Sequence, residues 1–201
     1  EIYTLSLHDA LPIFGRPDTT ELPHASIAIC MDFGREKDNT MISEKMAAAI
    51  NDQIKAEFDS AYIYLGMAAY FQDCNLPGMA HWMEKQYHEE LEHAERFIEH
   101  LYERGARVKI EEIAKPKESY DGPLSVFKES LRHERYVTER IDKLMDQAIE
   151  EKDHATSSML RWFVDEQVEE EANVEAIVRK LEFVGDSHAS IYLLDKELGG
   201  R

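Results

Sequence analysis

Residues 81–100 read HWMEKQYHEELEHAERFIEH, and this stretch decides the fold that the sequence predicts. Its large side chains recur every three or four positions, the period that places residues on one face of an α-helix. That face consists of Met83, Gln86, Glu90, His93 and Phe97. An acid and an imidazole, three residues apart, therefore stand on the face that should be buried. A buried carboxylate is costly unless it has a partner, so this helix predicts a polar site inside the protein.

The same helical period begins at Met41 and continues almost to the end of the chain. Ser43 is a plausible N-cap, Pro77 and Pro123 suit first helical positions, and Gly105 and Gly185 are typical of helix ends. We predict four long helices and a short fifth one, over residues 43–72, 77–104, 123–152, 156–184 and 190–198.

The lengths of the connections indicate the topology. Short turns join the first helix to the second and the third to the fourth, so each pair is expected to be antiparallel. The segment 105–122, which contains 18 residues, separates the pairs. A helix of about 28 residues is ~42 Å long, and an extended segment of this length reaches ~60 Å, enough to return along the bundle. One long crossover predicts an all-α, ferritin-like four-helix bundle with a short C-terminal helix.

Each of the four inward faces contains one glutamate near the middle of its helix. These are Glu57, Glu90, Glu134 and Glu170. Four buried carboxylates at one level would repel each other unless they took up protons or bound cations. His93 completes a Glu-x-x-His pair, which is typical of di-iron sites in bundles, and oxygen-rich ligands without thiolate favour iron or manganese. Any one of the acids alone would be read as a boundary residue.

The composition excludes several classes of function. The chain has 201 residues and a formal net charge of −18, which disfavours nucleic acids and anionic membranes as partners. No apolar run approaches the roughly 20 residues needed to span a bilayer. Cys30 and Cys74 form no CxxC pair, so we expect neither a disulfide framework nor a zinc site, and a cytoplasmic location fits. The zincin motif His-Glu-x-x-His is absent because Glu92 occupies its second histidine position.

The first 40 residues do not share the helical pattern. Residues 1–13, EIYTLSLHDALPI, resemble the translation of a common sequencing adapter and make a poor signal peptide. We interpret residues 1–40 as a non-native extension, with Met41 as the expected start of the domain that spans 41–201. A genuine disordered tail and a functional extension are the alternatives.

The chain from Met41 to about Leu198 resembles the bacterial non-haem ferritins along its whole length. The motifs that carry this resemblance are HEELEH at 88–93, LRHE at 131–134, RWFVDEQVEEE at 161–171 and IYLLDKEL at 191–198. The resemblance implies iron storage, with oxidation of Fe(II) to Fe(III) by O2 or H2O2 at a di-iron centre inside each subunit. It also implies a homo-oligomeric shell of 24 subunits, in which the fifth helix lines a channel.

By the same resemblance, the first ferroxidase iron would be bound by Glu57, Glu90 and His93. The second would be bound by Glu90, Glu134 and Glu170, with Gln167 as a hydrogen-bonding or weak ligand. A third iron position of this family would be formed by Glu89, Glu166 and Glu169. Two aromatic residues match positions beside the centre, where they would supply electrons or simply pack: Tyr64 and Trp162.

Departures from related families separate the alternatives. A haem-binding bacterioferritin would have a second Glu-x-x-His, whereas residues 167–170 read Gln-x-x-Glu, and Leu91 stands where its haem-binding methionine would be. We therefore expect no haem. A rubrerythrin-like peroxidase would need a CxxC module, and a DNA-protecting mini-ferritin usually lacks the fifth helix. Two rivals of other classes stay open here: a fixed di-iron oxidase acting on an organic substrate, and a non-catalytic bundle with protonated glutamates.

Overall fold

The computed structural model describes residues 41–200, and these form five α-helices and no strand. The interpretation of residues 1–40 lies outside the described residues. The helices are α1 (Glu44–Asp73), α2 (Pro77–Glu103), α3 (Pro123–Glu150), α4 (His154–Val184) and α5 (His188–Leu198). The predicted all-α architecture is confirmed, and most predicted helix ends lie within two residues of the observed ones.

Local signals explain where the helices begin. The hydroxyl Oγ of Ser43 accepts a hydrogen bond from the backbone N–H of Met46 at 2.9 Å, the expected N-cap of α1. Helices α2 and α3 each start with a proline, whose missing N–H is not needed in the first turn. Helix α4 starts two residues before the predicted Thr156, because the Asp153 carboxylate caps it by accepting from the Thr156 N–H at 3.1 Å.

The core consists of two apolar clusters at different heights in the bundle. One cluster contains Met67 and Phe71 of α1 with Met79 and Met83 of α2. The other contains residues from the opposite ends of the same helices, such as Ile50 of α1 and Phe97 and Leu101 of α2. Helices α3 and α4 contribute to both clusters in the same way. The order in which each helix passes the clusters shows that α1 runs antiparallel to α2 and α3 antiparallel to α4.

A layer of buried polar residues separates the two clusters. On every long helix the buried glutamate falls between the residues of one cluster and those of the other. The layer contains Gln53, Glu57, Ser60, Gln86, Glu90, His93, Ser130, Glu134, Gln167 and Glu170. The four glutamates therefore lie at a common level in the core, as the sequence predicted.

The crossover connects the end of α2 to the start of α3 along the side of α1. Asn51 near the start of α1 accepts from the Lys109 N–H at 2.6 Å and donates to the Arg107 carbonyl at 3.0 Å. Near the other end of α1, the hydroxyl of Tyr70 donates to the Tyr120 carbonyl at 3.1 Å. The segment thus returns along the length of the bundle, as the connection length predicted.

Helix α5 packs against the beginning of α2. The Asp195 carboxylate accepts from the Met79 backbone N–H at 2.8 Å. At Gly78 a Cβ atom would lie only 1.7 Å from the Asp195 carbonyl oxygen, so glycine permits this close approach. No helix within residues 41–200 is long and apolar enough to cross a membrane.

The helical period also predicts Leu65 on the inward face of α1 and Met145, but not Leu144, on that of α3, and these two details are wrong. Leu65, one position beyond the buried Tyr64, is 39% exposed. Leu144, which the predicted α3 face omitted, is buried, while Met145 is only partly buried.

Candidate metal centre

The polar layer brings the four central glutamates together from four different helices. Their residual exposure is 1% for Glu57, 2% for Glu90, 0% for Glu134 and 2% for Glu170. Each helix supplies its acid at the point where its apolar face changes from one cluster to the other. Burial on this scale excludes water, so these carboxyl groups can be satisfied only by each other, by neighbouring donors or by a bound cation.

Glu57, Glu90 and His93 form the most compact part of the centre. One ligand atom from each residue lies within 4.8 Å of the others, which is the spacing for a shared metal ion. The imidazole Nδ1 of His93 lies 3.4 Å from Oε2 of Glu90. Oε2 of Glu57 and Oε2 of Glu90 are buried and have no hydrogen-bond partner among residues 41–200. Two buried carboxylate oxygens without donors fit a cation, because a cation would supply the missing positive charge.

The remaining two acids accept hydrogen bonds from side chains of the same layer. The Tyr64 hydroxyl donates to Glu134, and the amide of Gln167 lies 3.3 Å from the other oxygen of that carboxylate. The amide of Gln86 donates to Oε2 of Glu170 at 2.8 Å. These donors fix the orientations of the carboxylates and leave them close to the first group.

The electrostatics of the layer favour protonation in the absence of metal. Burial raises the pKa of Glu57 to about 8, and the neighbouring Glu90 adds to the effect. The pKa of Glu90 is raised well above its ordinary value by burial and by Glu134. Burial also raises the pKa of Glu134 to about 7, against the lowering effect of the Tyr64 hydroxyl. A cation entering this layer would release these protons and replace their charge.

Aromatic side chains close the layer next to His93. The rings of Trp162 and Phe163 meet the imidazole edge to face, with centroids 5.4 and 5.7 Å away. The Arg96 guanidinium lies over Trp162, 3.8 Å from its centroid. Trp162 lies beside the centre, as the resemblance implies, and its contacts with Arg96 and His93 fit a packing role.

The residues of the expected third iron position lie nearer the surface. Glu89 and Glu166 are half-buried and Glu169 is exposed. Among residues 41–200, the compact group of metal-ligating side chains contains Glu57, Glu90 and His93, and the third set does not join it. The third position therefore stays a prediction.

The helical pattern predicts His100 and His133 as surface or helix-end residues, but the structure places both differently. His100 is 7% exposed and its Nε2 lies 2.9 Å from the Thr156 hydroxyl, at the junction of α2 and α4. His133 is half-buried, with Nε2 2.7 Å from the Ser60 hydroxyl, and burial lowers its pKa to about 4. A helical position alone did not reveal that neighbouring helices cover these rings.

The sequence interpretation also missed Gln53, which is fully buried and whose amide donates to Oε1 of Glu57 at 2.7 Å. A signal was present, because Gln53 precedes Glu57 by four residues and so lies on the same helical face.

Comparison with known proteins agrees with this fold. Residues 47–184 match the profile of the family described as ferritin-like domain. The chain belongs to the ferritin family. Two bacterial non-heme ferritins are similar to it: that of Bacteroides fragilis (strain 638R) is 44% identical over 161 residues, covering 80% of this chain and 100% of the relative. That of Staphylococcus aureus (strain MRSA252) is 38% identical over 161 residues, covering 80% of this chain and 97% of the relative.

A solved ferritin is similar as well. The open pore ferritin from the hyperthermophilic archaeon Archaeoglobus fulgidus is 47% identical, with a TM-score of 0.79 over 80% of this chain and 99% of that one. The buried carboxylates and the imidazole of His93 can bind a cation that prefers oxygen ligands. All of these residues lie within the segment that the family profile matches.

Proposed function

We propose that this ferritin stores iron and oxidises Fe(II) to Fe(III) at the centre formed by its buried glutamates. The observation that carries the proposal is the pair of buried carboxylate oxygens, on Glu57 and Glu90, that have no hydrogen-bond donor. Iron is the substrate in this proposal, and membership of the ferritin family supports it.

The first Fe(II) would be bound by Glu57, Glu90 and His93. The second would be bound by Glu90, Glu134 and Glu170, with Gln167 nearby, and Glu90 would bridge the two ions. Two Fe(II) ions each give one electron to O2, which takes up two protons and leaves as H2O2; with H2O2 as oxidant, two protons are consumed and two waters form. The carboxyl protons that the metal displaces are available for this step.

Within residues 41–200 a single imidazole, that of His93, is placed to bind the two ions. A site with one imidazole ligand should hold its metal less firmly than a site with two, which suits iron in transit. The ferric product would move on, with Glu89, Glu166 and Glu169 as a third position on its way to a mineral. We further propose a shell of 24 subunits, no bound haem and a cytoplasmic location.

The test is an aerobic titration of Fe(II) into the metal-free protein, with counting of the iron that each shell retains after gel filtration. Storage predicts that each shell retains on the order of hundreds of iron ions, many more than protein ligands alone could bind. Retention of about two ions per chain would indicate a fixed di-iron oxidase, and no retention a non-catalytic bundle.

The Glu134→Ala variant tests the residue assignment. Loss of a ligand to the second ion should slow the fast phase of Fe(II) oxidation by roughly 10- to 100-fold while the shell still assembles. The matched control is Glu139→Ala on the same helix. The Glu139 side chain is 72% exposed, so this variant should oxidise iron at the wild-type rate. Wild-type oxidation by Glu134→Ala would show that these ligands are wrongly assigned.

A further inference from the structure

A continuous hydrogen-bonded path leads from the bundle surface to the first metal position. The Arg140 side chain, on α3, crosses to α1 and its Nε donates to Oε1 of Gln53 at 2.8 Å. The Gln53 amide Nε2 then donates to Oε1 of Glu57 at 2.7 Å. Gln53 is 0% exposed and Glu57 is 1% exposed, so these hydrogen bonds take the place of the bonds that both side chains would otherwise make to water.

The outer end of the path is itself held in place. The guanidinium of Arg140 donates to the Asp52 carboxylate at 2.7 Å and to the Asp52 carbonyl at 3.0 Å. It also donates to the Tyr136 hydroxyl at 3.1 Å. With its side chain only 19% exposed and three neighbours engaged, Arg140 has little freedom to turn away.

The chemistry of arginine fixes the orientation of the glutamine amide. A guanidinium has only donors, so the group of Gln53 that faces Arg140 must be the amide oxygen. The amide NH2 must then face Glu57. Without Arg140 the amide could turn over, and its oxygen would then face a carboxylate oxygen, which is repulsive.

We propose that Arg140 and Gln53 are positioning residues for the first metal position: the guanidinium fixes the Gln53 amide, and the amide holds Glu57 so that Oε2 is presented to the ion. This inference rests on the proposed metal site. It is consistent with the fact that Oε1 of Glu57 accepts a hydrogen bond while Oε2 has no partner. Glu134 and Glu170 take their donors from Tyr64, Gln167 and Gln86, so the path from Arg140 serves Glu57.

The experiment is an anaerobic titration of the full-length, metal-free protein with Co(II), followed by calorimetry and by the d–d absorption of the bound ion. Co(II) is a stand-in that is not oxidised under these conditions, so binding is measured separately from iron oxidation. The variants are Arg140→Met, Gln53→Met and the double variant. Controls of matched chemistry are Arg132→Met, whose side chain is 77% exposed, and Gln147→Met, whose amide pairs with Glu151.

The wild type should bind two Co(II) ions per chain. Each single variant should weaken one of the two steps by roughly 10- to 100-fold, the range typical for residues that orient a metal ligand, and leave the other within about threefold. The double variant should bind Co(II) no more weakly than the single variant with the lower affinity, because both changes break the same path. The d–d spectrum of the affected step should change, whereas both controls should match the wild type.

Several results would overturn the proposal. Wild-type affinity in Arg140→Met, or additive losses in the double variant, would show that the guanidinium does not act through Gln53. Equal weakening of both steps together with a lower melting temperature would indicate a general structural role. If the wild type and the variants all bound two ions with the same affinities, the positioning role would be refuted while the storage function stood. A wild type that binds no ion would overturn both proposals.

Discussion

Burial of Glu57 should make the metal-free protein lose stability as the pH rises, and Glu57→Gln should remove the part of that loss that Glu57 contributes. Burial, reinforced by the negative charge of Glu90, raises the pKa of Glu57 from 4.5 to about 8. The folded chain therefore keeps a proton that the unfolded chain has already released. The stability that this proton contributes is fully present below the unfolded pKa and is lost as the pH rises through the folded one.

The size of the loss follows from the two pKa values. At about pH 6 to 7 the folded chain holds about one more proton at this position than the unfolded chain, and each pH unit then costs about 1.4 kcal/mol; the excess falls to about half a proton at pH 8 and is nearly gone by about pH 9. The loss is therefore about 3 kcal/mol per chain. For a chain of this size that corresponds to a fall of roughly 6–12 °C in melting temperature. A neutral glutamine has no such proton, so the melting temperature of Glu57→Gln should fall less by about this amount, while Glu90 and Glu134, whose pKa values are also raised, keep their own contributions.

The assay is scanning calorimetry of chelator-treated protein at about pH 6 and about pH 9, values on either side of the titration. The difference between the two melting temperatures is compared among wild type, Glu57→Gln and the control Glu139→Gln, which removes one exposed charge from α3. We expect the control to behave as the wild type does. Equal falls in wild type and Glu57→Gln would refute the claim that burial of this carboxyl controls the pH dependence.

Two further predictions concern single contacts. The Tyr64 hydroxyl donates to Glu134 and lowers the pKa of that carboxyl group. Tyr64→Phe removes the hydroxyl, so the pKa of Glu134 should rise above about 7. Because a carboxyl must lose its proton to bind iron, stopped-flow oxidation should slow several-fold near neutral pH and recover as the pH rises; a rate deficit independent of pH would contradict this. Gly78→Ala would place a Cβ 1.7 Å from the Asp195 carbonyl oxygen. The docking of α5 should weaken by about 1–3 kcal/mol, seen as a lower melting temperature. In Gly200→Ala the Cβ would lie 3.3 Å from the Glu197 carbonyl oxygen, a tight contact without overlap, so its melting temperature should fall less; equal melting temperatures would count against the close contact at Gly78.

The bundle and its polar layer could be predicted from the sequence because both depend on periodicity. An acid such as Glu134, standing on the apolar face between Leu131 and Ile141, is assigned to the core by its position alone. The connection lengths then limit the topology, because 18 residues suffice for a return along α1 and the other turns do not. Long, strongly periodic helices make this inference dependable.

Contacts between helices could not be predicted in the same way. Periodicity tells which face of α3 is outward, but it does not tell that Arg140 reaches across to Gln53, which is 87 residues away in the chain. It likewise left His133 on the surface, although the Ser60 hydroxyl lies 2.7 Å from its ring. Such pairs depend on the rotation of one helix against the next, a quantity that a single sequence does not contain.

The position of the polar layer between two apolar clusters explains how one chain can hold a costly site and still fold. Four buried acids repel one another, but large apolar side chains such as Phe71 and Phe97 pack above and below them and stabilise the bundle on both sides. Changes within the layer should therefore alter metal binding more than folding. Changes in either cluster should do the reverse. The separation follows from the order of residues along each helix, which changes from apolar to acidic to apolar within about three turns.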